Sequence, residues 1–317
     1  MSSNCGVDIR KCAIIGCGFV GASIAFRFLE SGLFSEMVLI DVNKDKSEGE
    51  ALDLAHGIPF TRPMSIYSGS YDDLEDCAVV VITAGGAQKP GQTRTDLVDM
   101  NIGIFKKIIP EITKRNKDCI LLVVSNPCDV LTYAALKISG FPANRVIGSG
   151  TVLDTARLKY LLGNHLDVDP RNVHAFIIGE HGDSELAVWS SASVSGVDLR
   201  EFCRIFGKSS DESVFRGIYE DVRDSAYEII RKKSATYYAI AMAVERICEC
   251  IVRDEHSVLT VSSLSNGHYG IDDICLGLPA VVGREGVEKL LDIPLSPEEQ
   301  SALENSASEM RQYLSKI

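Results

Sequence analysis

The 317-residue sequence lacks any run of the roughly 18 consecutive apolar residues that a membrane-spanning helix needs, so no transmembrane helix is expected. Its opening residues, MSSNCGVDIR, lack the apolar core of a secretory signal, and Ser2 stands where N-myristoylation requires glycine. These absences predict a cytoplasmic protein. Positive charge is also scarce: 32 Lys and Arg against 44 Asp and Glu leave a formal net charge of −12. Nucleic acids and anionic membranes are therefore not expected partners, because both are polyanions. A small anionic substrate would have to be met by arginines gathered locally against the overall field. Internal repeats and low-complexity linkers are missing too, so the parts of the chain are expected to pack together rather than hang on a tether.

Ten cysteines are present, but metal-ligand spacing among them is not. The close pair, Cys248 and Cys250, lies in an apolar helical pattern, and zinc sites usually need two such clusters or a Cys/His set. Several of the others sit in apolar runs, where a reduced thiol acts as a small hydrophobe. The sequence thus predicts a reducing compartment, no disulfide framework and no bound metal.

What the chain does have is alternation. Short continuous apolar runs at residues 12–15, 37–40, 78–83 and 120–124 are separated by helical stretches at about 20–30, 45–56 and 96–116. Apolar strands of this kind, interleaved with helices, indicate a parallel sheet covered on both faces. Beyond residue 150 the pattern changes. A helix at about 151–164 precedes strand-like segments at 173–179 and 187–194, and a long helical region runs from 213 to about 253. Residues 256–264 and 274–282 read as an antiparallel pair closing a second domain. A last helix opens with Ser296 as N-cap, Pro297 in its first turn and Glu299 completing a capping box. The expected architecture is α/β: a Rossmann-type doubly wound parallel sheet over residues 1–149, followed by a second α+β substrate and catalytic domain over 150–317.

The segment Gly16-Cys17-Gly18-Phe19-Val20-Gly21 matches GxGxxG directly after a strand and directly before a helix. Gly16 permits the tight turn, Gly18 lets a pyrophosphate approach the backbone, and Gly21 lets helix and strand pack closely. Asp41 ends the next strand, where a carboxylate accepts hydrogen bonds from both adenosine ribose hydroxyls and repels a 2′-phosphate. Val42 and Asn43 follow, with no arginine to welcome that phosphate, so the expected cofactor is NAD rather than NADP. The competing reading is a plain glycine turn with a helix-capping acid.

Four polar features stand out elsewhere. His181 lies in Ile178-Gly179-Glu180-His181-Gly182-Asp183-Ser184, at the end of an apolar strand. Asp154 and Arg157 are three residues apart and share a helix face. Arg94 ends a Gly/Pro-containing loop after a strand, and Asn126, in Ser125-Asn126-Pro127, follows another. Taken singly, each has an ordinary explanation, such as a packed histidine or a surface ion pair.

The segments GCGFVG, TAGGAQKPGQTR, VSNPCDVLTY, GTVLDTARL and IIGEHGDS occur in an order and spacing that resemble the family of L-lactate and L-malate dehydrogenases over nearly the whole chain. The resemblance implies that His181 exchanges a proton with a 2-keto or 2-hydroxy acid, as imidazole can in both directions near neutrality. It implies that Asp154 orients His181, that Arg157 clamps the substrate carboxylate with its planar fork, and that Arg94 polarises the carbonyl. Asn126 is implied near both nicotinamide and substrate. Val20, Lys46, Tyr71, Gly85, Gly86 and Ser149 are implied as further contacts of NAD, although Lys46 also reads as a surface lysine and Tyr71 as a packing aromatic. His56, His165, His256 and His268 show no partner pattern.

Gln88 falls where malate-type relatives commonly carry arginine for a second carboxylate. Glutamine cannot neutralise that charge, and Thr236 resembles the lactate-type pocket, so pyruvate and L-lactate are the expected substrates. Malate or a wider range of keto acids is the alternative, and a non-enzymatic NAD-binding protein a more remote one. The resemblance further implies a homotetramer. It also raises a phosphate site for fructose 1,6-bisphosphate at His174 and Lys159, where lysine replaces the usual arginine.

Overall fold

The structure, a computed structural model, describes residues 8–86 and 94–317, with Arg94 described by its backbone alone. Gln88 and the rest of segment 87–93 lie outside the described residues.

Six strands form the parallel sheet expected from the apolar runs: β1 (Asp8–Ile15), β2 (Glu36–Ile40), β3 (Ser65–Ser68), β4 (Cys77–Ile82), β5 (Ile120–Val123) and β6 (Val146–Gly148). Between them lie α1 (Phe19–Ser31), α2 (Lys44–His56), α3 (Arg94–Thr113) and α4 (Cys128–Ser139), and α5 (Val152–Leu166) follows β6. Successive strand residues point to opposite faces, and both faces are apolar. Ala13, Ile15, Val80, Ile82, Leu121 and Val123 pack with residues of α3 and α4. Their neighbours Cys12, Ile14, Val79, Val81, Ile120 and Leu122 pack with α1 and α2. Each buried Val, Leu or Ile among them contributes about 1.5–3 kcal/mol. The continuous runs in the sequence record this two-sided burial.

The remaining strands are β7 (Val173–Ile178), β8 (Leu186–Val194), β9 (Val197–Asp198), β10 (Ser257–Leu264), β11 (Cys275–Gly283) and β12 (Gly286–Leu290). The first three make a small antiparallel sheet covered by α5, α6 (Leu199–Ile205) and α7 (Glu212–Lys233). One expectation needs correction here. Segments 256–264 and 274–282 do pair antiparallel, with Ser257 opposite Val282, but they do not close the second domain. Ser262 pairs with Gly148 of β6, so β10, β11 and β12 extend the first sheet to the order β12-β11-β10-β6-β5-β4-β1-β2-β3. Strand pairing is set by tertiary neighbours, which an apolar pattern does not name.

The helical region from 213 to 253 is also two helices, α7 and α8 (Tyr238–Arg253). The break falls at Ser234, in the left-handed region at φ 71°, whose N–H caps α7 by donating to Ile230. The apolar period continues across the break, which hid it. The last helix, α9 (Pro297–Leu314), begins with the expected capping box between Ser296 and Glu299.

The two halves are fastened where β7 ends. Gly179 and Gly277 exchange N–H to C=O hydrogen bonds at 2.9 Å each, and Thr151 donates its hydroxyl to Ile177 C=O at 2.6 Å. Gly179 has φ 92°, and a Cβ there would come within 2.8 Å of Ser306 Oγ. This glycine turns the chain into the histidine segment. The nine cysteines among the described residues are all buried free thiols.

Candidate active site

At the carboxyl ends of the parallel strands lies an open cavity of about 630 Å³ lined by Gly16, Gly18, Asp41, Lys46, Tyr71, Thr83, Gly85 and residues of α3. The glycine loop makes this space. Gly16 has φ 104°, and a Cβ there would sit 2.7 Å from Ala84 N; a Cβ at Gly21 would sit 1.9 Å from Gly16 O. By contrast, a Cβ at Gly18 would meet nothing within 4 Å, so the room beside it is open for a ligand. Helix α1 starts at Gly18 with no side-chain cap and no acid in its first turn. Its unpaired N–H groups and the helix dipole therefore favour an anion.

Asp41 is held by the loop it serves. One carboxylate oxygen accepts from Cys17 N at 2.7 Å and the other from Asn43 N at 2.8 Å, which fixes the plane of the group and leaves lone pairs for further donors. Thr83 donates to Gly16 O at 2.6 Å and braces the turn. It was missed in the sequence, although it ends the apolar run 78–83 and could have been read as the polar tip of a strand. Val20 is half-buried on α1, and Gly86 N donates to Asn101 Oδ1 at 2.8 Å. Asn101 Nδ2 also donates to Asn126 O at 2.7 Å, tying two strand-end loops together. Ser149 is buried beyond β6, its hydroxyl 3.6 Å from Cys128 Sγ. Burial pushes the Cys17 thiol up to about 12, so it is not a nucleophile at neutral pH.

Two catalytic candidates, His181 and Asp154, and the substrate-binding candidate Arg157 come together next to the junction of the halves. His181 Nδ1 lies 2.6 Å from Asp154 Oδ2, while Arg157 Nη1 donates to Asp154 Oδ1 at 2.7 Å. Asp154 is 1% exposed, so this is no surface ion pair. The His181 side chain keeps 24% exposure on the solvent side. Its backbone N–H donates to Asp129 Oδ2 at 2.7 Å, and the preceding Glu180 N donates to Ser306 Oγ at 2.8 Å. Helices α4, α5 and α9 thus fix the histidine from three sides. Asp129 was another miss; it lies three residues after Asn126, in the first turn of a helix after a parallel strand.

Burial alone would lower the His181 pKa, but the charge and hydrogen bond of Asp154, helped by Asp129 and Glu185, outweigh it and raise the value to about 9. Burial likewise opposes ionisation of Asp154, yet His181 and Arg157 hold it below the ordinary carboxylate range. Both partners carry charge at neutral pH. Glu185 lies close by, with a carboxylate oxygen within 4.8 Å of an Asp154 carboxylate oxygen and a His181 ring nitrogen.

Thr236 is half-buried in the link between α7 and α8. Helix α7 crosses the histidine segment, where Tyr227 donates to Asp183 at 2.8 Å. Lys159 and His174 line a separate cavity of about 520 Å³ together with Arg246. Burial lowers the Lys159 pKa.

Residues 10–148 match the family description "lactate/malate dehydrogenase, NAD binding domain" and residues 151–317 match "lactate/malate dehydrogenase, alpha/beta C-terminal domain". L-lactate dehydrogenase 1 of Clostridium acetobutylicum is 53% identical over 307 residues, covering 97% of this chain and 98% of that one. L-lactate dehydrogenase of Acetivibrio thermocellus is 53% identical over 306 residues, 96% of each. Among solved structures, the minor L-lactate dehydrogenase of Enterococcus mundtii in a ligands-bound form superposes with a TM-score of 0.94 at 44% identity, covering 97% of this chain and 98% of that one.

Proposed function

The chain belongs to the lactate/malate dehydrogenase family, and from that premise we infer that it catalyses reversible hydride transfer between NADH and pyruvate, giving L-lactate and NAD+. The observation that carries the reading is the hydrogen-bonded pair of Asp154 and His181 at 2.6 Å, in a chain that also holds a cradle with glycine clearances and the fixed carboxylate of Asp41. The cradle fits a dinucleotide: open space at Gly18, an uncapped helix N-terminus, and a carboxylate at Asp41. When bound, NADH supplies the hydride.

The chain's own residues supply the rest. His181, protonated because Asp154 stabilises the imidazolium, gives the proton on its free ring nitrogen to the ketone oxygen; in reverse the neutral ring takes the hydroxyl proton. Asp154 keeps the other nitrogen occupied and so fixes which one reacts. Arg157, half-immobilised by Asp154, offers its remaining N–H groups to the substrate carboxylate. The roles of Arg94 at the carbonyl, Asn126 near the nicotinamide, and Gln88 and Thr236 in the substrate pocket rest on the family resemblance. Gln88 carries the preference for pyruvate over oxaloacetate.

We place fructose 1,6-bisphosphate at Lys159 and His174, supported by the shared cavity and by a further cation there, Arg246. The assembly is a homotetramer in a cytoplasmic setting. In support, Phe19, Phe26, Tyr238 and Met242 on α1 and α8 are exposed apolar residues, and among the described residues no helix is long and apolar enough to cross a membrane. Spectrophotometric oxidation of NADH by pyruvate and by oxaloacetate, with and without the bisphosphate, tests the substrate and effector readings together. Turnover of pyruvate in preference to oxaloacetate is expected, and no turnover of either would overturn the main one.

A further inference from the structure

Glu185 is a buried acid that the mechanism above does not use. It opens the approach to β8, is 5% exposed, and its Oε1 has no hydrogen-bond partner among the described residues. One of its carboxylate oxygens lies within 4.8 Å of both an Asp154 carboxylate oxygen and a His181 ring nitrogen. The cluster does not make a metal cage, because both Asp154 oxygens are already committed, one to Arg157 and one to His181. Nor, among the described residues, is Glu185 offered a cation of its own. Arg157 is turned to Asp154, and Arg223, on the overlying α7, is bonded to Asp224 at 2.8 Å. The neighbouring Tyr219 of α7 donates to the Glu185 backbone carbonyl, not to its carboxyl.

A second carboxylate buried against an ionised one cannot also ionise without a large cost. We propose that Glu185 is a positioning residue for the reaction proposed above, a carboxylic acid kept neutral beside the ionised Asp154–His181 pair, which sets how far into the alkaline range His181 stays protonated. Burial, and then the Asp154 charge, push its pKa up to about 9, in the same direction as the geometry requires. As pH rises, the Glu185 O–H bond breaks and its proton passes to water. The new negative charge then lies beside His181 and holds the imidazolium's proton to higher pH. The groups facing this event are Asp154 and Arg157 on α5, Asp129 on α4, Tyr219 and Arg223 on α7, and His181 itself.

The inference rests on His181 as the acid–base group, and the test separates the two. In Glu185→Gln the amide imitates the neutral acid in shape and charge but cannot ionise. Pyruvate kcat at neutral pH should stay within about twofold of wild type, while the alkaline midpoint of kcat/KM falls by about half a unit or more. Infrared spectra at neutral pH should show a protonated carboxyl band in wild type that is absent from the variant. In the unmutated protein, the same band should fade as pH rises. An unchanged midpoint with no such band overturns the proposal, as does a large loss of kcat at neutral pH with an unchanged midpoint. If neither protein shows an alkaline limb, the acid–base reading of His181 fails instead, and the band still decides the state of Glu185.

Discussion

The cofactor cradle and the histidine site are built on opposite principles. The cradle is mostly backbone and missing side chains: Gly16 and Gly21 leave no room for a Cβ, Gly18 leaves open space, and a lone acid closes the far end. These four residues lie between positions 16 and 41 along one βαβ unit, although Tyr71, Thr83, Gly85 and α3 complete the lining. The histidine site works through side chains, drawn from α4, α5 and the segment after β7, and is braced by α9. A local site of the first kind works by shape and fixed dipoles, whereas a convergent site of the second kind works by tuning protonation. Mutations should therefore fail in different ways at the two places.

The largest effect is expected at His181. His181→Asn should lower kcat for pyruvate by about 10²–10⁴-fold, the usual weight of a general acid, while NADH affinity by fluorescence stays close to wild type. Joint loss of turnover and binding would blur the two sites into one. Next in size, Arg157→Lys keeps the charge but loses the planar fork, and kcat/KM for pyruvate should fall by about 10- to 100-fold, with NADH affinity again unchanged.

At the cradle the failure should be steric. Gly21→Ala puts a methyl 1.9 Å from Gly16 O, and the forced shift of α1 should cost about 1–3 kcal/mol in stability and weaken NADH binding. Thermal unfolding and titration with NADH would read both, and a variant that binds as well as wild type would mean that the loop can move. Smaller still, Asp41→Ser removes the repulsion of a 2′-phosphate. The kcat/KM ratio of NADPH to NADH should then rise about tenfold, leaving the alkaline limb of the pyruvate profile where it was.

The same contrast governs how much was readable beforehand. The parallel sheet, the glycine loop and Asp41 were legible because their determinants are contiguous: two-sided burial leaves unbroken apolar runs, and the turn demands its glycines. His181, Asp154 and Arg157 were recognisable as candidates from their family-like segments, and the structure brings His181 and Arg157 each within hydrogen-bond reach of Asp154. Asp129, Ser306 and Glu185 were not singled out, since nothing near them in sequence announces that three distant elements meet at residues 180–185. The attachment of β10 to β6 and the break at Ser234 were hidden for a related reason. An apolar period says that a face is buried but not what buries it.

The alkaline limb of the histidine site offers the most direct test. With its pKa raised to about 9, His181 is protonated below that pH, so kcat/KM for pyruvate should be level through neutrality and fall as pH passes about 9, while lactate oxidation rises over the same interval. Most of that elevation comes from Asp154. Measuring pyruvate kcat/KM against pH in wild type and Asp154→Asn should show the midpoint falling from about 9 toward the ordinary histidine value of about 6.5, together with a drop in the plateau. An Asp154→Asn enzyme whose midpoint stays where the wild type's is would contradict the pairing on which the whole reading of the site depends.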